Sequence, residues 1–286
     1  MELRRLGRTD VLIPALGLGT WEMGGRDYPD FSRDVEVVEI VRYAIRRGVK
    51  LIDTAEMYGA GHCEELVGEA VKEFPREEVF IATKIWPYNL KFKDVFESLS
   101  RSLDRLGVDY IDLYQIHFPN PFIPLRETMK AMEKLVDEGK IRFIGVSNFS
   151  VKELEEAMNH LSRYDIVSNQ VLYNPLDRLI EHEILPFCAR NGITIIAYRP
   201  LGKGSLLKDP YRRILEGFGR KYGKTPAQIL INWVIRHENI IALSKTMSKE
   251  HLDELLGGMG WRMEPEDYER LPELLSEAGG EQEKKS

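Results

Sequence analysis

The sequence has 286 residues, of which 43% are hydrophobic and 30% charged, and a formal net charge of -6. This composition is typical of a soluble globular protein, and the negative charge argues against a nucleic-acid partner. No apolar run reaches the roughly 18 residues of a membrane span, and the N-terminus has no apolar signal core. We therefore expect neither a membrane partner nor a nucleic-acid partner.

The two cysteines, Cys63 and Cys188, lie far apart and in no metal-ligand spacing. This usage predicts a cytoplasmic protein with neither a disulfide framework nor a metal centre. The high content of charged residues and the presence of only four glutamines favour a thermophilic source.

Eight short apolar runs recur along the chain. They are rich in Ile, Val and Leu and do not alternate polar with apolar residues, which is typical of strands buried on both faces of a parallel sheet. In chain order the runs cover residues 15–19, 49–53, 79–84, 110–117, 143–148, 166–170, 193–198 and 240–245.

Helical patterns lie between these runs and carry boundary signals. Ser150 and Glu153 have the spacing of a capping box, and Thr225 and Pro226 provide a cap and a first-turn proline. The alternation of strands and helices predicts one (β/α)8 barrel of the α/β class, with a doubly wound open sheet as the alternative. The apolar stripes that end at a glycine cover residues 34–47, 94–106 and 125–138.

We expect a single domain over residues 1–286. Residues 2–13 are predicted to form a β-hairpin before the first barrel strand, and an extra helix is predicted after the last one. The polar end, from about residue 277 to residue 286, is predicted to be a disordered tail.

Nearly every predicted strand ends in a polar or ionisable side chain. In a barrel of this kind the carboxyl ends of the strands form one mouth, where the active site lies, so we expect these side chains to converge. They are Asp53 with Tyr58 on the next loop, Lys84, His117, Ser147 with Asn148, Asn169 with Gln170, Tyr198 with Arg199, and Lys245 with Thr246.

Four of these residues make a proton-transfer set. A phenol has a pKa near 10, and a nearby ammonium favours its ionised form; Lys84 is expected to lower the pKa of Tyr58 in this way. Asp53 would compensate the buried charge of Lys84, and a neutral His117 would orient a carbonyl oxygen. Tyr58 is then the candidate general acid toward that oxygen.

The segment Gly59-Ala60-Gly61 invites comparison with a dinucleotide-binding loop. Such a fingerprint requires three glycines at fixed spacing after the first strand and an acidic residue about 20 positions later. This chain has two glycines here, after its second predicted strand, and Glu64 at the third position. We interpret them as turn residues leading into a helix that begins near His62.

Several motifs, in this order, resemble those of the aldo-keto reductases, with particular similarity to microbial or archaeal alcohol-oxidising members. They are GLGTW at 17–21, LIDTAEMYG at 51–59, ATK ending at Lys84, DLYQIHFP at 112–119, VSNF at 146–149 and SKTMSKEHLDEL at 244–255. The resemblance covers nearly the whole chain. It implies a barrel that binds NAD(P)H without a Rossmann fold and transfers hydride to an aldehyde or ketone, with Asp53, Tyr58, Lys84 and His117 as a catalytic tetrad.

The same resemblance implies roles for residues around the mouth. Ser147, Asn148 and Gln170 would hold the nicotinamide carboxamide, Tyr198 would stack on the ring, and Leu201 with its neighbours would line the pyrophosphate. The remaining cofactor positions are Gly19, Thr20, Trp21, Arg199, Gly202, Lys245, Thr246, Ser248 and His251, and the pocket walls are Trp21, Trp86 and Phe118.

Two segments depart from the family pattern. Arg199 stands where many members have serine, and it would contact the pyrophosphate or point to solvent. His251 stands where many have an arginine toward the 2′-phosphate; histidine is only partly charged near neutrality and lacks the bidentate fork. We therefore predict use of both NADH and NADPH.

The segment between the fourth strand and its helix is short, with Phe118 and Leu125 at its ends. This favours an open pocket and broad substrates, such as medium-sized aldehydes, ketones and secondary alcohols. A cofactor-binding regulatory subunit of the same fold is the alternative function. A phosphate-ester barrel enzyme is a third, with Gly202-Lys203-Gly204 as its phosphate loop. The resemblance implies a monomer.

Overall fold

A computed structural model describes residues 1–283, with side chains described through residue 280. This range contains ten strands and ten α-helices. The strands are β1 (Leu3–Arg5), β2 (Leu12–Pro14), β3 (Leu16–Gly19), β4 (Leu51–Asp53), β5 (Phe80–Ile85), β6 (Ile111–Ile116), β7 (Ile141–Ser147), β8 (Ile166–Leu172), β9 (Thr194–Tyr198) and β10 (Ile240–Ser244).

Eight of the strands, β3 to β10, form a closed barrel in which every neighbouring pair is parallel. The ring closes where Ala242 of β10 lies opposite Leu16 of β3. All eight predicted strands are confirmed to within a few residues. Closure excludes the doubly wound open sheet, since that fold leaves two free edges.

The helices form the outer layer of the barrel. The capping boxes predicted at Ser150 and at Thr225 are both present, with Pro226 in the first turn after Thr225. The helices are α1 (Asp34–Arg46), α2 (His62–Val71), α3 (Phe92–Leu106), α4 (Leu125–Asp137), α5 (Val151–Asn159), α6 (Ile184–Asn191), α7 (Tyr211–Tyr222), α8 (Pro226–Val234), α9 (Lys249–Leu256) and α10 (Pro265–Glu283).

The N-terminal hairpin β1–β2 closes the barrel end opposite the mouth. Leu6 and Ile13, at 0% and 1% exposure, belong to the cluster of side chains that fills the barrel interior. Burying such a side chain contributes about 1.5–3 kcal/mol. The interior is therefore a packed core, and the carboxyl ends of the strands are the accessible side.

The last helix, α10, overlaps the predicted C-terminal tail. Residues 277–283, expected to be disordered, continue this helix, while residues 284–286 lie outside the described range. Leu271 and Leu275 are fully buried, so packing of the apolar side of α10 stabilises the polar turns that follow. Among residues 1–283, the helices are too short or too polar to cross a membrane.

Candidate active site

Three neighbouring strands bring the predicted tetrad together. Side chains alternate along a strand, and Leu51, Ala82 and Leu113 point into the barrel core. Two residues further on in each strand lie Asp53, Lys84 and Gln115. These polar side chains therefore form the layer above the apolar core, at the carboxyl end of the barrel.

Lys84 is the centre of this layer. Its ammonium donates to Asp53 Oδ1 at 2.5 Å, to the Thr54 carbonyl at 2.8 Å and to Tyr58 Oη at 3.2 Å. The three N–H groups are thus all used, and both Lys84 and Asp53 are buried. The contact with Tyr58 has a direct consequence: the phenol oxygen accepts, so its own proton remains free to be donated.

Asp53 is held by two amides as well as by Lys84. Gln170 Nε2 donates to Asp53 Oδ2 at 2.8 Å and Gln115 Nε2 donates at 3.2 Å. Gln115 was missed in the sequence, although its place two residues before His117 on an alternating strand indicates an inward direction. The amides satisfy the carboxylate oxygen that Lys84 leaves free, as a buried charge requires.

The pKa of Tyr58 reflects two opposing effects, of which the expected lowering by Lys84 is one. Burial raises this pKa above its ordinary value, and the opposing effect of Lys84 is smaller. The phenol therefore stays protonated through the neutral range. Burial alone would lower the pKa of Lys84, but Asp53 and Tyr58 outweigh it and raise that pKa, so the ammonium stays charged.

His117 lies beside Tyr58, with ring centroids 5.6 Å apart in an edge-on arrangement. Burial, with a smaller contribution from Lys84, lowers the pKa of His117 to about 2. The imidazole is therefore neutral, as expected from the sequence. Its Nδ1 is buried without a hydrogen-bond partner in residues 1–283.

A cavity of about 610 Å³ opens above Tyr58 and His117. It continues along the mouth as a groove toward the start of α9. Of the predicted site residues, those lining it are Gly19, Trp21, Asp53, Tyr58, His117, Phe118, Ser147, Asn148, Gln170, Tyr198, Arg199, Leu201, Lys245, Thr246 and His251.

One end of the groove is lined by a hydrogen-bonded set of polar side chains. Ser147 Oγ donates to the Gln170 carbonyl at 2.9 Å, and Asn148 Nδ2 donates to Ser147 Oγ at 3.0 Å. Tyr198 Oη donates to Asn148 Oδ1 at 2.9 Å. These bonds fix the ring of Tyr198 against one wall. Asn148 has a φ of +61°, a conformation that asparagine tolerates better than most residues.

The other end of the groove lies beside β10 and α9. Lys245, Thr246 and His251 line it, and Lys245 is about one-third exposed. Ser248 is the N-cap of α9: its hydroxyl accepts from His251 N and donates to Glu250. Ser248 does not line the groove, so its predicted cofactor contact remains a prediction without support from this geometry.

Three other predicted contacts do not line the groove. Thr20 is buried and donates to the Asp53 carbonyl at 3.1 Å. The backbone N–H of Trp86 donates to Glu56, and its ring packs against Tyr88. Gly202 begins a 3-10 turn that follows Leu201.

The two glycine-containing segments are turns. Gly59, Ala60 and Gly61 have φ of +55°, +53° and +101°, as expected for turn residues. A Cβ on Gly59 would lie 2.2 Å from the Gly24 carbonyl oxygen, so glycine is required there. In the second segment, Gly202-Lys203-Gly204, the Nζ of Lys203 lies 4.3 Å from the centre of the Trp21 ring.

The segment between β3 and α1 also lines the groove and was largely missed in the sequence. Glu22, Arg26 and Asp27 belong to it. They carry no motif, and only the folded chain brings them to the mouth. Further lining residues that were missed are Met57, Pro200, Leu207, Ala227, Leu243, Ser244, Glu254 and Leu255, while Lys203 and Gly204 had been named only as part of a candidate phosphate loop.

Residues 15–276 match the model of the aldo/keto reductase family. The chain is 36% identical to a methylglyoxal reductase of Escherichia coli, over 86% of this chain and 85% of that protein. The chain therefore belongs to the aldo/keto reductase family, and it is an oxidoreductase of that class.

Solved structures agree with this assignment. A thermostable aldo-keto reductase, Tm1743, solved with the inhibitor epalrestat, has 47% identity and a TM-score of 0.91, covering 96% of this chain and all of that one. An aldo/keto reductase from Klebsiella pneumoniae, solved with NADP and acetate, has 34% identity and a TM-score of 0.86, covering 96% and 95%.

Proposed function

We propose that this protein reduces small aldehydes and ketones with NADPH or NADH, that it catalyses the reverse oxidation of alcohols, and that Tyr58 is the general acid and base. The observation that carries this proposal is the hydrogen bond from Lys84 to Tyr58 Oη. In this bond the phenol oxygen is the acceptor, so the phenol proton has no acceptor in residues 1–283. The neutral His117 lies beside this phenol at the mouth of the barrel.

The groove has the chemistry that a nicotinamide dinucleotide requires. Hydroxyl and amide groups of Ser147, Asn148 and Gln170 line one end, and the cation Lys245 lines the other. The first set would hold a carboxamide and the second a phosphate. Lys203 and Arg199, between them, are suited to the pyrophosphate. No glycine-rich phosphate loop is needed, because side-chain charges supply the binding.

When bound, the reduced nicotinamide supplies a hydride to the carbonyl carbon. The residues of this chain supply the proton and the orientation. Tyr58 Oη donates its proton to the carbonyl oxygen, and the neutral His117 hydrogen-bonds that oxygen and positions it. Lys84 stabilises the phenolate that is left, and Asp53 compensates Lys84. Solvent then returns a proton to Tyr58.

The substrates proposed here are small and varied. Trp21, Met57 and Phe118 line the open side of the cavity, and Phe118 is 42% exposed. These side chains offer apolar contact with few fixed hydrogen-bond partners, which favours breadth over selectivity. The name of the Escherichia coli relative suggests methylglyoxal as a first substrate to test.

The proposal that both cofactors are used is based on the residues at the end of the groove beside β10 and α9. His251 lines it in place of the arginine expected from the family pattern, and an imidazole lacks the planar fork with which a guanidinium makes a bidentate contact to a 2′-phosphate. Binding of NADPH thus rests mainly on Lys245 and Thr246, which leaves less advantage over NADH.

The test is loss of the reduced-nicotinamide absorbance with a panel of carbonyls that includes methylglyoxal. We expect turnover with both cofactors, with kcat/KM values within about a hundredfold of each other. A larger preference would refute dual use. Cofactor binding without turnover of any carbonyl would instead support the regulatory-subunit alternative.

The two directions of reaction should differ in pH dependence. Reduction needs the protonated Tyr58, and burial raises its pKa above the ordinary value, which keeps that form dominant through the neutral range. Oxidation needs the phenolate, so its rate should rise with pH. His117, with a pKa of about 2, stays neutral above pH 5, so its protonation should not lower the rate on the acid side of either pH profile. Initial rates from pH 5 to pH 10 check this; the same optimum in both directions would contradict it.

A further inference from the structure

Glu22 faces the one lysine that the proposed function assigns to the cofactor's 2′-phosphate. Its Oε2 lies 3.6 Å from Lys245 Nζ, and the two side chains are 36% and 38% exposed. They follow β3 and β10, which are neighbours in the barrel. Both line the groove.

The position of this carboxylate is determined by its backbone. Glu22 has a φ of +65°, a conformation that side-chain-bearing residues rarely adopt. A turn holds it there, since Met23 N donates to the Thr20 carbonyl at 2.9 Å. The next residue, Gly24, is fixed to α2 by its N–H donating to Cys63 Sγ at 3.3 Å. An unfavourable conformation kept in place at a binding groove points to a role in binding.

Stability does not account for the pair. A partly exposed ion pair at 3.6 Å contributes little to folding. Its effect on a ligand is larger, because a phosphate that binds Lys245 must share that ammonium with Glu22. A phosphate oxygen at about 2.8 Å from Nζ would lie within about 6 Å of the carboxylate.

We propose that Glu22 is a specificity-determining residue that disfavours the 2′-phosphate of NADPH, by neutralising Lys245 and by repelling the phosphate. This inference rests on the nicotinamide-dependent function proposed above. NADH carries a neutral hydroxyl at that position, so its affinity should depend little on Glu22. Glu22 and His251 then act in the same direction, toward use of NADH.

The expected size follows from the charges. A phosphate monoester carries a charge of about -1.5 to -2 at pH 7. At about 6 Å through partly exposed surroundings, removal of one opposing carboxylate should tighten NADPH binding about five- to tenfold. Salt should reduce the effect, since the screening length falls to about 3 Å at 1 M.

The experiment compares Kd values of NADPH and NADH for the wild-type protein and Glu22→Gln. Quenching of tryptophan fluorescence provides the signal, because Trp21 lines the groove. We expect a five- to tenfold lower Kd for NADPH at low salt, less than twofold change for NADH, and a smaller difference at high salt. Glu77→Gln, an exposed charge change next to the amino end of β5, is the matched control and should change neither Kd.

Glu22→Gly provides a second variant, because glycine adopts a positive φ freely and also removes the charge. It should give the same selective change if the charge is responsible. Equal changes for both cofactors, or an unchanged Kd for NADPH, would overturn the proposal. If the wild-type protein bound neither cofactor, the proposed function itself would be refuted. If the wild-type protein bound NADPH and Glu22→Gln bound it with the same Kd, only the role of Glu22 would be refuted.

Discussion

Tyr58→Phe should lower kcat for carbonyl reduction by about 10²- to 10⁴-fold, the range that a positioned general acid contributes. Only the hydroxyl is removed. Lys84 keeps its bonds to Asp53 and to the Thr54 carbonyl, so folding should change by no more than about 1 kcal/mol. Steady-state kinetics, with cofactor Kd measured separately, checks this, and the Kd should stay the same.

Tyr88→Phe is the control for this prediction. Tyr88 is 70% exposed and packs beside Trp86, outside the groove, so its hydroxyl should not affect turnover. If Tyr58→Phe kept more than about a tenth of the wild-type kcat, another group would have to supply the proton, and the assignment of Tyr58 would be wrong.

Asp53→Ala should destabilise the fold by about 3–5 kcal/mol, since it leaves the buried ammonium of Lys84 without its charged partner. Gln115 and Gln170 would lose their acceptor at the same time. Urea unfolding measures the loss of stability. Activity should fall together with stability, because Lys84 would no longer be held beside Tyr58.

The double variant Asp53→Ala with Lys84→Met separates the two effects. It removes both buried charges, so a large part of the lost stability should return, while activity stays low. A double variant as unstable as Asp53→Ala would mean that the ion pair is not the source of the loss. Recovery of activity in the double variant would exclude Lys84 from the proton transfer.

The strands and the tetrad could be predicted because their signals are local. A parallel barrel strand is buried on both faces, so each appears as a short apolar run, and Asp53, Lys84 and His117 are the last residues of three such runs. Tyr58 was found only in combination with them, since an isolated tyrosine on a loop indicates little. The capping boxes at Ser150 and Thr225 could also be predicted, because each capping residue bonds a partner only three positions further along the chain.

Other features depend on how much each group is buried and on which distant segments meet. Lys84 lowers the pKa of Tyr58 as expected, but the depth of the site makes burial the larger effect, so the net shift of this pKa is upward. Trp86 was expected at the pocket wall, but it is not among the residues that line the groove, and its backbone N–H donates to Glu56. Adjacent sequence does not reveal either the depth or the direction of these side chains.

The sequence by itself determined the family, the order of the barrel strands and the choice of residues proposed for proton transfer, because each is encoded in short motifs with a physical meaning of their own. Only the tertiary structure decided that Gln115 and Gln170 share the Asp53 carboxylate and that Glu22 faces Lys245. These contacts join residues far apart in the chain. Their distances arise from closure of the barrel, which brings β3 beside β10.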